Sequence, residues 1–508
     1  MQRRLYLAPI GRIAAPCLGI IRAAQLHNLT IVLHHLPTSD EISIPQPNLP
    51  PWGTVSNVEP SRYDTATAYI TVDFHQMNNR DPFVYKTTDY GKSWKQIVNG
   101  IPRSPLSYAH VVREDLVRRG LLYLGTENAL YVSFNDGEAW QPLQTNLPHA
   151  PVYWLTIQPR FNDLVVATYG RGFWILDDIT PLQQLTPQVQ ASDAHLFAPR
   201  PAYRFRLLTG APATMSDDQT AGQNPTYGAS IHYYLKAAPK DSTVPITVTI
   251  LDGQGQTVRT LKGTRNAGIN RIHWDLRNDS TQQARLRTSP LYAPNTRPGP
   301  EGWWPAPAIG RMSVLMPPGK YMVKLKAGAQ EFTQSLVVLK DPSSGGSEEE
   351  IQAQTKLLLD IQREVNAGVE AINTTEQIRS ELQQLRAVLA ADSTAKDLRT
   401  AADSLEQKLI AVEGNLHELK LTGRGQDNVR WPTRLVGQIF YLGGGLASAD
   451  FAPTTQQVEV ARLLRDELQK YRGELDQLLA GDLGRFNARL KERGIPNIVT
   501  APPPRRTS

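Results

Sequence analysis

Three short polar excursions carry most of the side chains that could do chemistry. They are Asp73-Phe74-His75-Gln76-Met77-Asn78-Asn79-Arg80, Glu127-Asn128 and Tyr169-Gly170-Arg171-Gly172. Each follows an apolar run: Thr67-Ala68-Tyr69-Ile70-Thr71-Val72, Leu121-Leu122-Tyr123-Leu124-Gly125-Thr126 and Leu164-Val165-Val166-Ala167-Thr168. Two carboxylates such as Asp73 and Glu127, about 5 to 10 Å apart across a cleft, suit the hydrolysis of a glycosidic bond. His75, Arg80 and Arg171 would supply donors and positive charge. Without catalysis, the same five residues make a polar face for a peptide or a glycan. For any one of them, an ordinary surface loop is the simpler account. The sequence holds no Ser-His-Asp spacing, metal motif or dinucleotide loop, so no catalytic residue, cofactor or metal is assigned. His34 and His35 lack spaced acidic or Cys partners. Gly443-Gly444-Gly445 lacks the Lys-Ser/Thr of a phosphate loop and is expected to be a plain loop.

A repeated turn positions these excursions. Thr87-Thr88-Asp89-Tyr90-Gly91-Lys92-Ser93-Trp94 returns 46 residues later as Ser133-Phe134-Asn135-Asp136-Gly137-Glu138-Ala139-Trp140. The shared pattern is a hydroxyl residue (Thr87, Ser133), then Asp89 or Asn135, then Gly91 or Gly137, then Trp94 or Trp140. The Asp or Asn can bond the backbone of a tight turn. The glycine takes the positive φ. The tryptophan buries a large ring between neighbouring sheets. A hairpin device that repeats suggests a β-propeller.

The pattern resembles the Asp-box, or BNR, repeat of sialidases and sortilin-like propellers. The second copy departs from it at Asn135 and Ala139. In those families the box is structural, on the outer hairpin of a blade, so the resemblance implies an architecture rather than an activity. A sialidase-like site would also need a cluster of arginines and a Tyr nucleophile, and no arginine cluster can be assembled from the three excursions.

Residues 48–180 divide into three related units. Their first strands are expected at Val55–Pro60, Ala109–Val112 and Val152–Ile157; Thr126 and Thr168 match at an offset of 42, the size of a four-stranded blade. The third unit has Leu176-Asp177-Asp178 in place of the box. Propellers usually need about four to eight blades, so three imply a partner chain or missing N-terminal blades. Residues 1–47 form an unpatterned segment. Residues 181–225 are expected to be a linker. Short alternating strands over 226–340, with an Asp252-Gly253 turn, suggest an Ig-like sandwich. The run Ala267-Gly268-Ile269-Asn270 to Trp274-Asp275 resembles the Ig-like module of flagellar hook-capping proteins. Residues 278–310, with Trp303 and Trp304, look like a loop inserted in it; the pair could stack on a sugar or close the loop. A flexible linker at 341–347, a helical bundle at 348–493 and a disordered tail at 494–508 complete the chain.

The 508 residues carry a net charge of +6 and one cysteine. The basic residues are scattered, without a nucleic-acid motif, so no nucleic-acid partner is expected. A single Cys excludes an internal disulfide. No apolar run reaches the ~20 residues of a membrane span, and Arg12 and two prolines interrupt the first apolar stretch, leaving no convincing signal peptide. The expected fold is multidomain, mainly β then α: a partial propeller of about three blades, an Ig-like sandwich and a helical bundle. It resembles the C-terminal part of large bacterial BNR-repeat proteins often labelled glycosyl hydrolase, which implies an extracytoplasmic location. The functional expectation is a non-catalytic binding or scaffold protein for peptide or glycan. The alternative is a glycoside hydrolase with its site partly or wholly in missing blades.

Overall fold

The computed structural model describes residues 52–206, 224–239, 241, 244–296, 298–422 and 427–499, with the backbone of three earlier strands. The chain is β-rich first and helical later, in two compact units: residues 1–197 with 233–236, and residues 198–232 with 237–508. Strands β1 (Leu18–Ile20), β2 (Thr30–His34) and β3 (Glu41–Ser43) form a small antiparallel sheet inside the segment expected to be unpatterned.

The first unit holds three antiparallel meanders, each built from strands consecutive in sequence. The first sheet is β4 (Thr54–Pro60), β5 (Ala68–Asp73), β6 (Phe83–Thr87) and β7 (Lys95–Gln96). The second is β8 (Ala109–Glu114), β9 (Leu122–Thr126), β10 (Leu130–Ser133) and β11 (Gln141–Pro142). The third has only β12 (Val152–Gln158), β13 (Asp163–Thr168) and β14 (Phe173–Leu176). Alternation along each strand gives every sheet two apolar faces. Tyr69 and Val84 pack on Val112, Leu122, Leu124 and Tyr131 of the next sheet. The opposite face of the second sheet, with Val111, Tyr123, Leu130 and Val132, packs on Leu155, Ile157, Leu164 and Val166 of the third. Polar bonds fix the stacking. Asn57 Oδ1 accepts from Val112 N (3.0 Å), Arg113 Nη1 reaches Glu59 Oε2 (2.6 Å) and Arg113 Nε donates to the Leu155 carbonyl (2.9 Å).

The two repeated turns have the same internal bonding. Thr87 Oγ1 donates to Asp89 Oδ1 (2.9 Å) and accepts from Gly91 N (2.9 Å), while Asp89 Oδ1 accepts from Ser93 N (2.9 Å). Ser133 Oγ, Asn135 Oδ1, Gly137 N and Ala139 N repeat these contacts at 2.9–3.0 Å. Gly91 and Gly137 sit at φ of 81° and 84°, where a Cβ is strained. The tryptophans differ. Trp140 is buried and donates Nε1 to the Ile97 carbonyl (2.8 Å), whereas Trp94 is half-buried beside Val58 and Tyr85.

The stretch expected as a linker is structured at its start. It holds α1 (Thr180–Gln184), α2 (Pro187–Ala191), β15 (Ala194–Leu196) and β16 (Ala202–Arg204). Thr186 Oγ1 caps α2, and β15 pairs with the end of β17 (Ala229–Leu235) through Leu196 and Tyr233. Residues 207–223 lie outside the described residues.

In the second unit a five-stranded sheet runs β16, β24 (Gln330–Lys340), β23 (Gly319–Ala327), β18 (Ile246–Leu251), β19 (Thr257–Lys262). The Asp252 turn closes on Asp252 N to the Gln256 carbonyl (2.9 Å), with Gly255 at φ 76°. Strand β20 (Gly268–Trp274) ends in the fully buried Trp274, edge-on to Tyr321 at 5.1 Å. A two-residue ladder, β21 (Arg285–Leu286) with β22 (Trp304–Pro305), organises the expected loop. Far from being free, that loop docks on a helix. Ala284, Leu286, Ile309 and Met312 share one core with the helices. Trp304 joins the rim of that core and donates Nε1 to the Thr288 carbonyl (3.2 Å), and Arg285 lies over the Trp303 ring at 4.8 Å.

The helices are α3 (Glu348–Val388), α4 (Lys396–Leu416), α5 (Asp427–Arg430), α6 (Leu435–Leu446), α7 (Thr455–Leu478) and α8 (Gly484–Glu492). Ser347 and Glu350 form a capping box at the start of α3. Residues 341–347, expected to flex, are held. Ser344 Oγ donates to Asp450 Oδ2 (3.1 Å), and a Cβ on Gly346 would collide with the Asp450 carbonyl. Gly443-Gly444-Gly445 is helical, within α6, not a loop. A Cβ on Gly443 would crowd Ile361 and Met312, and one on Gly368 would fall 2.5 Å from Val436, so these glycines let α3 and α6 approach. Beyond α8, Ile498 is buried and bonds Asn487, so the tail is packed as far as Val499; residues 500–508 lie outside the described residues.

A buried charged cluster crosses this helical core. Arg379 Nη1 reaches Glu376 Oε1 and Glu413 Oε2, each at 2.7 Å, and His417 Nε2 lies 3.0 Å from Glu413 Oε1. Thr288 N and Oγ1 donate to Glu376, each at 2.7 Å. All four ionisable groups are at least 96% buried.

Candidate functional site

In all three sheets the pairing of the first two strands slips by one residue at the same place. The register shifts between Val55 and Asn57, between Ala109 and Val111, and between Val152 and Trp154. Ser56, His110 and Tyr153 are therefore bulged. A bulge frees its residue from strict face alternation and re-aims the side chain. The turn after the second strand lies opposite. Glu127 N donates to the Tyr108 carbonyl (3.1 Å), and Tyr169 N donates to the Pro151 carbonyl (2.9 Å), so the second and third excursions are stapled to the start of their own sheets.

The result is a continuous row of rings and carboxylates across the sheets. Asp73 Oδ2 lies 2.6 Å from His75 Nδ1, and the His75 ring stacks on Tyr108 at 5.0 Å. Tyr108 meets His110 edge-on at 5.2 Å, and His110 stacks on Tyr153 at 4.2 Å. Tyr153 continues to Tyr169 at 5.7 Å. Glu127 Oε2 lies 2.8 Å from His110 Nε2, and the Tyr108 hydroxyl also bonds Glu127. Burial, reinforced by that bond and the Glu127 charge, pushes the Tyr108 hydroxyl above its usual range. Burial and the nearby Glu127 and Asp73 push Tyr153 the same way. Both phenols stay protonated donors at neutral pH.

Exposure grades along the row. Tyr108 and His110 are buried supports, while Tyr153 and Tyr169 are 49% and 72% exposed. The row thus offers two ring surfaces next to a fixed carboxylate acceptor, a combination that orients a ligand with apolar faces and hydroxyl donors. Of the residues singled out in the sequence, Asp73, His75 and Glu127 lie in this row. Arg80 and Arg171 are exposed and stand apart from it; Arg171 contributes only its carbonyl, which accepts from Trp174 Nε1 (3.0 Å). Thr87, Asp89, Gly91, Ser133, Asn135 and Gly137 lie in the two turns and bond within them. Tyr108, His110 and Tyr153 are the additions. Their signal was faint: polar or aromatic residues at the start of strands whose neighbours are aliphatic.

Among the described residues, no group of three or more His, Cys, Asp or Glu is placed to hold a metal ion, and no helix is long and apolar enough to cross a membrane. His34 and His35 fall outside the described side chains. A shallow cavity of about 200 Å³ lies at the turns instead, lined by Lys86, Ser93, Trp94, Asp136 and Glu138.

No family model matches the sequence, and a search of the curated proteins finds no match. Solved structures give distant superpositions. The GH74 enzyme of Niastella koreensis aligns at 10% identity and TM-score 0.21, over 56% of this chain and 38% of that one. The extracellular domain of a hybrid two-component system from B. thetaiotaomicron aligns at 10% and 0.22, over 61% and 36%. The GH74 xyloglucanase from Xanthomonas campestris aligns at 11% and 0.20, over 56% and 47%. The chain spans less than half the length of each. At these TM-scores the likeness carries no argument about fold or activity.

Proposed function

We propose that the first unit is a glycan-binding part of an extracytoplasmic protein, built as consecutive blades of an Asp-box propeller and acting without catalysis. The row from Asp73 to Tyr169 carries this reading. Exposed Tyr153 and Tyr169 rings suit the flat apolar face of a pyranose, and Glu127 is placed beside them to accept hydroxyl hydrogens. The matching bulges and twin turns of successive sheets support the blade reading.

Calorimetric titration of the full chain with cellohexaose, chitohexaose and maltohexaose tests it, with a mixed tetrapeptide pool as the peptide arm. One oligosaccharide is expected to bind, and Tyr153→Ala and Tyr169→Ala each to weaken it roughly 2- to 10-fold, from about 0.5–1.5 kcal/mol per ring contact. Affinity unchanged in both variants and in Glu127→Gln refutes the site. Binding of the peptides alone replaces glycan with peptide.

One observation favours a second reading: two carboxylates, Asp73 and Glu127, stand in the same row, each bonded to a histidine. Turnover of these oligosaccharides, abolished by Asp73→Ala or Glu127→Ala, would establish a hydrolase; turnover unchanged by both would exclude these two as its catalytic pair.

A further inference from the structure

The row from Asp73 to Tyr169 has a one-sided supply of charge. Asp73 Oδ1 accepts from His75 N (2.8 Å), and its Oδ2 lies 2.6 Å from His75 Nδ1. Glu127 bonds His110 Nε2 and the Tyr108 hydroxyl. A carboxylate offers about four lone-pair sites, so each keeps acceptor capacity to spare. Among the described residues no lysine or arginine pairs with either carboxylate; their ionisable partners are His75 and His110. Exposed His149 stands beside them, its Nδ1 3.3 Å from the Asn128 carbonyl. The exposed phenol feels the same sign. Burial first, and then the charges of Glu127, Asp73 and Tyr169, push the Tyr153 hydroxyl up, and none of these groups is a cation.

We infer that the row selects its glycan by charge: it takes an unacetylated hexosamine, with the ammonium group toward Glu127, and turns away uronic and sialic acids. This selectivity rests on the glycan reading of the row. An ammonium is donor-only, and spare acceptor capacity is what the two carboxylates hold beside the rings. Glu127 is the more accessible of the two, its side chain 19% exposed against 11% for Asp73. It bonds the His110 ring, which stacks on Tyr153 at 4.2 Å, so an ammonium on Glu127 has a half-exposed aromatic face one ring away. Such faces attract cations. Acidic sugars fail on the complementary ground. A sugar carboxylate is best held by the paired donors of arginine, and Arg80 and Arg171 stand apart from the row. The attraction is also local. The whole chain carries +6 and repels a polycation at long range, so a preference for one has to come from the row itself.

Calorimetric titration of the full chain at neutral pH tests this with hexaglucosamine, its N-acetylated form chitohexaose, cellohexaose and hexagalacturonate. Hexaglucosamine is expected to bind about 5- to 10-fold tighter than either neutral hexamer, the size of one hydrogen bond to a charged group, and hexagalacturonate not to bind measurably. Glu127→Gln keeps the shape and removes the charge, so it should bring the ratio of hexaglucosamine to cellohexaose affinity close to one. Asp73→Asn should lower the ratio by less. Circular dichroism matching the parent establishes that both variants fold, and the ligand series on the parent stands without them. Neutral hexamers bound as tightly as hexaglucosamine, and weakened by Tyr153→Ala, overturn the inference and leave the glycan reading in place. Binding of hexagalacturonate, or a preference that survives both charge-removing variants, overturns it as well. A parent that binds no hexamer removes both readings. Tetralysine bound in place of hexaglucosamine overturns the glycan and makes the ligand a cationic peptide.

Discussion

Replacing Arg379 by Met should cost the second unit more than any other single change to its charges. Arg379 is 2% exposed and is the cation between Glu376, Glu413 and, at 3.7 Å, Glu406. Methionine keeps much of the volume and removes the charge, leaving the buried Glu376 and Glu413 without that cation, while Glu406 keeps its pair with Arg386. Breaking a buried pair by deleting one partner typically costs about 3–5 kcal/mol. At roughly 2–4 °C per kcal/mol for a large domain, the melting temperature should fall on the order of 5–15 °C. The pH dependence separates this cause from a packing defect. Burial first, and then the Glu413 charge, push Glu376 up to about 7. Burial is the largest influence on Glu413 and acts upward, but the Arg379 charge, the His417 bond and charge and a bond with Glu376 together hold that group below its usual value. A raised carboxyl binds more protons folded than unfolded between about 4.5 and 7, so its stabilising contribution is complete below that window and is lost as pH rises through it. Without Arg379 the carboxyls rise further and can be relieved by protonation. The deficit of Arg379→Met, read by differential scanning calorimetry, should therefore be largest at pH 7–8 and shrink toward pH 5. A drop of less than about 2 °C, or one independent of pH, refutes the account.

Two further outcomes follow from local geometry. The Asp89 carboxyl is held down at about 2, chiefly by the Ser93 hydroxyl and then the Ser93 N–H; Ser93→Ala should move its titration, followed by carboxyl NMR, up toward 3.8, while Ser93→Thr should leave it low. Gly368→Val should destabilise by about 1–3 kcal/mol, because its side chain enters the space of Val436, and Val436→Ala in the same chain should recover part of the loss in urea unfolding.

What the sequence disclosed follows the range of the interactions. The turns at Thr87 and Ser133 close through bonds that span at most four residues, so their pattern survives in the letters. The β-then-α order is likewise local, carried by period-two alternation and then by helical spacing. The bulges at His110 and Tyr153 are not local. They arise from how β8 meets β9 and β12 meets β13, and a one-residue slip leaves no mark in either strand alone. For that reason the excursions at Asp73 and Glu127 were visible, while the rings that join them were not. Glu376 and Arg379, three apart, look like a solvated helix face; their burial comes from Thr288 and Glu413, 88 and 34 residues away. The glycines of α6 mislead for the opposite reason: their use is close contact with Met312 and Ile361, where a run of Gly suggests a turn.

The repeated bulge has a bearing on how such a surface can change. At most strand positions a residue answers to the sheets on either side, and a substitution must satisfy a core. Ser56, His110 and Tyr153 occupy the one place per sheet where the ladder releases the side chain, and a small hydroxyl, an imidazole and a phenol are all accommodated there on nearly the same backbone. Side-chain chemistry can thus change at this position from sheet to sheet while the ladder around it stays constant. The repeat that supplies stability also supplies one variable position per sheet, and where His110 stacks on Tyr153 two of these positions must vary together.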